Sequence, residues 1–229
     1  MDWFQAVDIY CERTSAAFWA EPWNAISNAS FLIAAAVAAH TARNRGITAP
    51  IVWVLIAMAA AIGVGSFLFH TFATHWAEYA DTIPIWALVA VFVLTAMRFI
   101  GGMAPRRIAQ WGVGVVAVAV LTVTVRASGE GAATGPDPLN GSGQYAPAVV
   151  ALLVFAWLSR RRAHPAAPWI AAATAVFLVS LVFRTLDRDI CTAFPLGTHF
   201  IWHILNGVMV WLLLQMLVRT GEFAPRTDR

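Results

Sequence analysis

Long hydrophobic runs separated by short polar stretches make up most of this chain. Runs long enough to cross about 30 Å of hydrocarbon recur along almost its whole length, and prolines and glycines mark several of their ends. The pattern predicts seven helices, over residues 24–42, 50–70, 82–100, 109–126, 146–160, 166–186 and 198–219. No stretch remains for a separate soluble core. We therefore expect an all-α polytopic membrane protein, a bundle of seven transmembrane helices forming a single membrane domain over residues 1–229.

The composition agrees with this pattern. Hydrophobic residues make up 60% of the chain and charged residues 12%, whereas about a quarter of a soluble domain is charged. The residues before the first run carry Asp2, Asp8, Glu12 and Glu21 and lack the basic region of a cleaved signal peptide. We therefore expect the first hydrophobic helix to remain in the mature protein.

The charges at the helix ends predict an orientation. All fifteen basic residues are arginines, and eleven of them collect in four groups on one face of the predicted bundle. These groups are Arg43 and Arg45, then Arg98, Arg106 and Arg107, then Arg160 to Arg162, and finally Arg219, Arg226 and Arg229. By the positive-inside rule, the N-terminal segment 1–23 is extracytoplasmic and the tail 220–229 is cytoplasmic.

Composition also bears on partners and location. The net charge of +3 is split among short loops, so we expect the lipid bilayer as a partner and no nucleic acid. No obligate protein partner is implied. An all-arginine, alanine-rich composition is typical of a GC-rich bacterium, which predicts a location in the bacterial inner membrane.

Polar side chains gather at one end of the predicted bundle. Ser66 and His70 close the second predicted helix, Asp81 opens the third, and His199 and His203 open the seventh. A charged side chain near the centre of a membrane helix costs roughly 2.5 to 3.5 kcal/mol, so such a group needs a purpose. The pattern predicts a functional site at the extracytoplasmic ends of these helices.

The three histidines have the spacing of a metal site. His199 and His203 are four residues apart on one helix face, and His70 lies at the same depth on another helix. Three neutral histidines with a fourth position left for water are typical of a catalytic zinc site. Such a site would lower the pKa of the bound water and polarise a carbonyl. Ser66 could donate to an oxyanion, and Asp81 could move the proton to the leaving amine.

Other interpretations of the histidines stay open. A histidine pair with His70 opposite could also ligate haem, as in a b-type cytochrome. For His40, His75 and His164, which lack a second histidine partner, we expect ordinary interfacial or hydrogen-bonding roles.

At the same residues the sequence resembles the alkaline ceramidase family. Gly65-Ser66-Phe67-Leu68-Phe69-His70 is similar to its Gly-Ser-x-x-Phe-His segment, with Asp81 and Pro84 at the family spacing; His199-Phe200-Ile201-Trp202-His203, followed by Asn206-Gly207, is similar to its His-x-x-Trp-His segment. The resemblance implies zinc on the three histidines and catalytic roles for Ser66 and Asp81. It further implies hydrolysis of the N-acyl amide bond of ceramide to a sphingoid base and a fatty acid.

The N-terminal segment carries a further part of the resemblance. Tyr10-Cys11-Glu12, Glu21-Pro22-Trp23-Asn24 and Ser27-Asn28 are similar to segments that bind calcium in relatives. The implied calcium ligands are Asp8, Tyr10 through its backbone carbonyl, Glu12, Thr14 and Glu21. Asp8 lies one residue further from Cys11 than in the family, Thr14 replaces an asparagine, and the interval to Glu21 is about two residues shorter. The alternative is a solvated acidic segment in which Glu21 caps the first helix.

The two cysteines, Cys11 and Cys191, both fall on the side that the predicted orientation makes oxidising. The stretch Asp187 to Cys191 resembles the family segment before the last helix. The resemblance implies a disulfide between them, and two buried free thiols are the alternative.

Three other functions remain to be separated from ceramide hydrolysis. The same chemistry could act on another lipid amide, such as an acylated amino-acid lipid. The metal arrangement is also similar to the progestin and adiponectin receptor family, so a non-catalytic zinc receptor or lipid-binding protein is a second alternative. A b-type cytochrome is the third. The N-terminal Cys-Glu segment favours the ceramidases.

Overall fold

The computed structural model describes residues 2–128, 137–220 and 223, and these residues are almost entirely helical or in short turns. The helices are α1 (Pro22–Ser27), α2 (Ala29–Asn44), α3 (Pro50–Phe72), α4 (His75–Phe99), α5 (Pro105–Ser128), α6 (Ala146–Arg161), α7 (Ala167–Leu186) and α8 (His199–Arg219), with a 3-10 turn at Ser142–Tyr145. No strand forms within the described part of the chain. The predicted all-α class is confirmed.

Six helical segments are long and apolar enough to cross a membrane, counted over the described residues. They are Pro22–Asn44, Pro50–Phe72, His75–Phe99, Ser142–Arg161, Ala167–Leu186 and His199–Arg219. Helix α5 stands where the fourth span was predicted but is not among the six, so the count of seven spans stays a prediction. Most of the predicted cytoplasmic tail, residues 220–229, lies outside the described residues.

The first predicted helix is divided into two. Helix α1 ends at Ser27, and α2 begins after Asn28. The Asn28 side chain donates to the Asn24 carbonyl at 2.8 Å, which is the acceptor that the Asn28 backbone N–H would use in a continuous helix. The Asn28 N–H bonds instead to Ala25. A side chain that competes with the backbone thus marks the break.

The third predicted helix begins earlier than expected. Helix α4 starts at His75, not at residue 82, so Asp81 lies in its second turn and Pro84 lies inside it. Because proline has no N–H, the Ala80 carbonyl loses its helical partner. That oxygen faces Gly65 of α3 so closely that a Cβ at Gly65 would collide with it. Glycine at this position therefore lets α3 and α4 pack together around the proline.

Helix α8 is the most buried of the six candidate spans and packs against α2 and α7. Its contact with α2 is closest at Gly207, where a Cβ would collide with Ser30. Small residues at such crossings are typical of packed membrane helices.

One end of the bundle joins the N-terminal segment to two distant turns. The Val7 N–H donates to the Ala73 carbonyl at 2.8 Å, next to the turn between α3 and α4. The disulfide between Cys11 and Cys191, implied by the resemblance, is present and joins this segment to the loop before α8. These contacts bring the end of α3 and the start of α8 to one place.

The arginine-rich loops meet at the other end. Arg162 donates to the Ile100 carbonyl at 2.6 Å, which joins the loops after α6 and α4. Arg43, at the end of α2, lies over the Trp53 ring at 5.4 Å. The predicted face that carries most of the arginines thus corresponds to one end of the folded chain.

Candidate metal centre

Three histidines converge at the end of the bundle that carries the disulfide. His70 lies in the last turn of α3, His199 is the first residue of α8, and His203 follows one turn later. Each is at most 3% exposed. Their ligand nitrogens all lie within 4.8 Å of one another, and they are the one such group of metal-ligating side chains among the described residues. The structure therefore brings together the three predicted zinc ligands.

Hydrogen bonds define which nitrogen of His70 is available. The Nδ1 atom of His70 lies 2.6 Å from Glu21 Oε2. A carboxylate only accepts hydrogen bonds, so Nδ1 carries the proton and Nε2 keeps its lone pair. A carboxylate behind a ligating histidine is the usual support of a metal site, because it orients the ring and raises its basicity.

His203 is held in the same tautomer by a hydroxyl. Its Nδ1 lies 2.8 Å from Ser27 Oγ. Ser27 donates its single proton to the Asn24 carbonyl at 2.9 Å, so it accepts from His203 Nδ1–H. The Nε2 lone pair of His203 is therefore also free.

Two ring nitrogens in the cluster are buried without a hydrogen-bond partner, namely His70 Nε2 and His199 Nδ1. Buried polar atoms are rarely left unpaired, and each unpaired one destabilises the fold. A cation held by the cluster would satisfy them, and neutral imidazoles are ligands that zinc accepts. The residues present therefore fit a zinc ion. Ring centroids 4.5 to 5.3 Å apart leave no room for a porphyrin between the histidines.

Glu21 is itself held by two other side chains. Arg13 Nε donates to Glu21 Oε1 at 2.5 Å, and Asn24 Nδ2 donates to Oε2 at 3.0 Å. Burial alone would raise the pKa of Glu21, but hydrogen bonds from its partners, His70 first among them, hold the pKa below its ordinary value. The Glu21 carboxylate behind His70 is therefore charged.

Asp187 positions the start of α8 and was not singled out from the sequence. Its Oδ1 accepts the N–H groups of Thr198 at 2.7 Å and His199 at 2.9 Å, and its Oδ2 accepts the Cys11 N–H at 3.0 Å. The carboxylate therefore caps the helix that carries two of the histidines. Caps are normally recognised next to the helix start, so an aspartate eleven residues upstream leaves no local signal.

Ser66 and Asp81 lie beside the histidines as predicted. Both side chains are buried, and the Ser66 hydroxyl is close enough to the Asp81 carboxylate to interact with it. Asp81 Oδ1 has no hydrogen-bond partner. Both residues line one cavity together with His199 and His203. The structure thus brings a carboxylate, a hydroxyl and two of the imidazoles to the same space.

The cavity extends from this polar end between apolar helix faces. Its space, together with the part open to solvent, is about 940 Å³, and its lining is mostly apolar. Tyr10 contributes to the polar end, and its ring stacks on His199 with centroids 3.7 Å apart. The lining suits an apolar molecule whose polar group reaches the histidines.

The remaining histidines lie outside the cluster. His40 pairs with Asn44, His164 accepts the Ala166 N–H, and His75 pairs with the Glu78 carboxylate at 3.1 Å. None joins the three-histidine group, in agreement with their predicted local roles.

The calcium prediction is not supported. Both Glu12 oxygens accept backbone N–H groups, from Trp23 and Asn24 at 2.8 Å each, so Glu12 caps α1. The Glu21 side chain accepts no backbone N–H at that helix start and instead binds His70 and Arg13. The other predicted ligands are Asp8 and Thr14, which are exposed, and Tyr10, whose ring stacks on His199. Glu12 and Glu21, the buried carboxylates that a calcium ion would require, are therefore already bound to other groups of the protein.

These features define a class: an all-helical protein with several helices of membrane-spanning length and a buried three-histidine centre at the polar end of an apolar cavity. The chain matches the family model described as Ceramidase over residues 7–224. It therefore belongs to the ceramidase family, which confirms the resemblance and implies that the protein is a hydrolase acting on a lipid substrate. A search among curated proteins finds no significant match.

Proposed function

We propose that this protein is a zinc-dependent hydrolase that cleaves the N-acyl amide bond of ceramide within the membrane, releasing a sphingoid base and a fatty acid. The observation that carries the proposal is the convergence of three buried histidines with Ser66 and Asp81 at the end of an apolar cavity. Membership of the ceramidase family supports the same chemistry.

His70, His199 and His203 would hold the zinc ion. When bound there, zinc supplies Lewis acidity that polarises a carbonyl and makes water a better nucleophile. Glu21 and Ser27 keep the rings of His70 and His203 in the tautomer that presents Nε2. A purely structural zinc site would need neither Ser66 nor Asp81, which disfavours a receptor.

Ser66 and Asp81 would carry out the proton and charge transfers. Asp81 would accept the proton of the attacking water and deliver it to the departing amine. The Ser66 hydroxyl, which lies beside Asp81, would donate to the oxyanion that forms on the substrate carbonyl. The amide bond would then break with the fatty acid and the free amine as products.

The cavity walls would bind the hydrocarbon chains. Apolar residues of α3, α4, α6 and α8 form much of the lining, including Ile62, Leu88, Phe92, Leu152, Phe155 and Val210. The chains of a membrane lipid already lie in hydrocarbon, so this lining would hold them by van der Waals contact rather than by removing them from water. A lipid substrate entering from the bilayer agrees with this lining.

We further propose seven spans, with α5 as the fourth, and an extracytoplasmic metal centre in a bacterial inner membrane. The arginine-rich end of the bundle supports this orientation. Green fluorescent protein fused after Arg229 is expected to fluoresce, and alkaline phosphatase at the same site is expected to be inactive. An active phosphatase there would contradict the orientation.

Metal removal tests the proposed function. Protein purified in detergent is expected to hold about one zinc per chain and to hydrolyse a fluorescent ceramide. Treatment with 1,10-phenanthroline should abolish hydrolysis, and zinc, but not calcium, should restore it. An acylated amino-acid lipid assayed in parallel identifies the alternative substrate. Bound zinc without turnover of either lipid would favour a receptor, and absence of zinc would refute the metal centre.

A further inference from the structure

We propose that the Arg13 guanidinium replaces the calcium ion of relatives: it is a built-in cation that holds Glu21 behind His70, so the metal centre forms without calcium. The inference rests on the proposed zinc centre and adds how this chain supports it. The resemblance implies Glu12 and Glu21 as calcium ligands, but in the fold these carboxylates bind backbone N–H groups and other side chains.

Arg13 binds three oxygen atoms of the kinds that calcium prefers as ligands. Its Nε donates to Glu21 Oε1 at 2.5 Å, one terminal nitrogen donates to the Ser15 carbonyl at 3.1 Å, and the other donates to the His70 carbonyl at 3.0 Å. Carboxylate and backbone carbonyl oxygens are ligands that calcium prefers. Here all three oxygens are bound by one guanidinium.

Burial makes this contact specific. The side chains of Arg13 and Glu21 are 4% and 3% exposed, so little water is available to take over either partner. A shallow hollow beside Arg13 is lined by Asp8 and Thr14, two of the implied calcium ligands. Arg13 therefore binds one of the implied calcium ligands and lies beside two others, and a second cation there would meet its positive charge.

The contacts of Arg13 converge on His70 from two sides. The guanidinium binds the backbone carbonyl of His70 directly, and it binds the carboxylate that pairs with the His70 ring at Nδ1. Arginine is charged at all relevant pH values and presents its donors in a rigid planar fork. Arg13 is therefore a positioning residue for a metal ligand, acting through Glu21.

Calcium titration of the zinc-loaded protein tests the replacement directly. We expect no calcium binding by isothermal titration calorimetry with CaCl₂, and the same melting temperature in CaCl₂ and in EGTA. Binding of one calcium per chain with a higher melting temperature would overturn the proposal. Neither measurement depends on turnover, so a failure of the proposed hydrolase function leaves this test intact.

Variants at Arg13 test its effect on His70. In Arg13→Ala we expect the affinity for zinc to fall about 10- to 100-fold, as when other outer partners of metal ligands are lost. The visible spectrum of the cobalt-substituted protein should change in shape, since the His70 ring is no longer held. Calcium should bind to Arg13→Ala and partly restore its zinc affinity, because the oxygens around the vacated position are again free.

Two further variants make the result interpretable. Arg188→Ala removes an exposed arginine from the loop before α8 and should leave zinc affinity and the cobalt spectrum unchanged. Arg13→Lys keeps the charge without the fork and should lie between wild type and Arg13→Ala; it replaces Arg13→Ala if that variant does not fold. Wild-type zinc affinity in Arg13→Lys and Arg13→Ala alike would overturn the positioning role.

Discussion

Replacing His203 with alanine is expected to remove the bound zinc and to lower kcat/KM for ceramide by at least about a thousandfold. A metal in such a site supplies several kcal/mol of transition-state stabilisation, and each 1.36 kcal/mol is a factor of ten in rate. Loss of one of three ligands also leaves the buried His70 Nε2 and His199 Nδ1 atoms without compensation. Elemental analysis and hydrolysis of a fluorescent ceramide measure the two effects.

His164 provides the matched control for this variant. It lies near the arginine-rich end of the bundle, where its ring contacts Phe99, and His164→Ala should keep both zinc and hydrolysis. Size-exclusion chromatography separates loss of metal from loss of fold. A folded His203→Ala protein that keeps stoichiometric zinc and wild-type turnover would refute the three-histidine centre.

Replacing Asp81 with asparagine is expected to lower kcat by about 10²- to 10⁴-fold, the usual contribution of general acid–base catalysis, with zinc content unchanged. The amide is nearly the same size as the carboxylate and keeps an oxygen acceptor for the Ser66 hydroxyl. It cannot accept and return a proton, so the loss should appear in kcat more than in KM. Steady-state kinetics with elemental analysis on the same samples measure this.

Glu78→Gln is the control for Asp81→Asn. Glu78 lies one turn earlier on α4, is partly exposed, and pairs with His75 outside the metal centre. Its variant should retain wild-type kcat. If Asp81→Asn retained wild-type kcat, the assignment of the proton-transfer role to Asp81 would be wrong.

The helical class, the collection of most arginines at one end of the bundle, and the three histidines of the cluster could be predicted from the sequence. Hydrophobic run length and loop charge are local properties, and an i, i+4 histidine pair shares a face of any helix. His70 could be added because its position in an apolar run set its depth. A local signal also gives the wrong start for α4. Pro84 is typical of a helix start, but whether a helix can contain it depends on Gly65 of the neighbouring helix, which the sequence around Pro84 does not reveal.

The sequence by itself determined which side chains can bind the metal, because ligand chemistry belongs to the residue type and depth belongs to the hydrophobic run. Only the tertiary structure decided what supports them: Glu21 behind His70, Ser27 behind His203, and Arg13 where a calcium ion was expected. Glu21 and His70 are 49 residues apart, and Ser27 and His203 are 176 apart. No periodicity joins residues so distant, and their pairing exists only once the helices have packed.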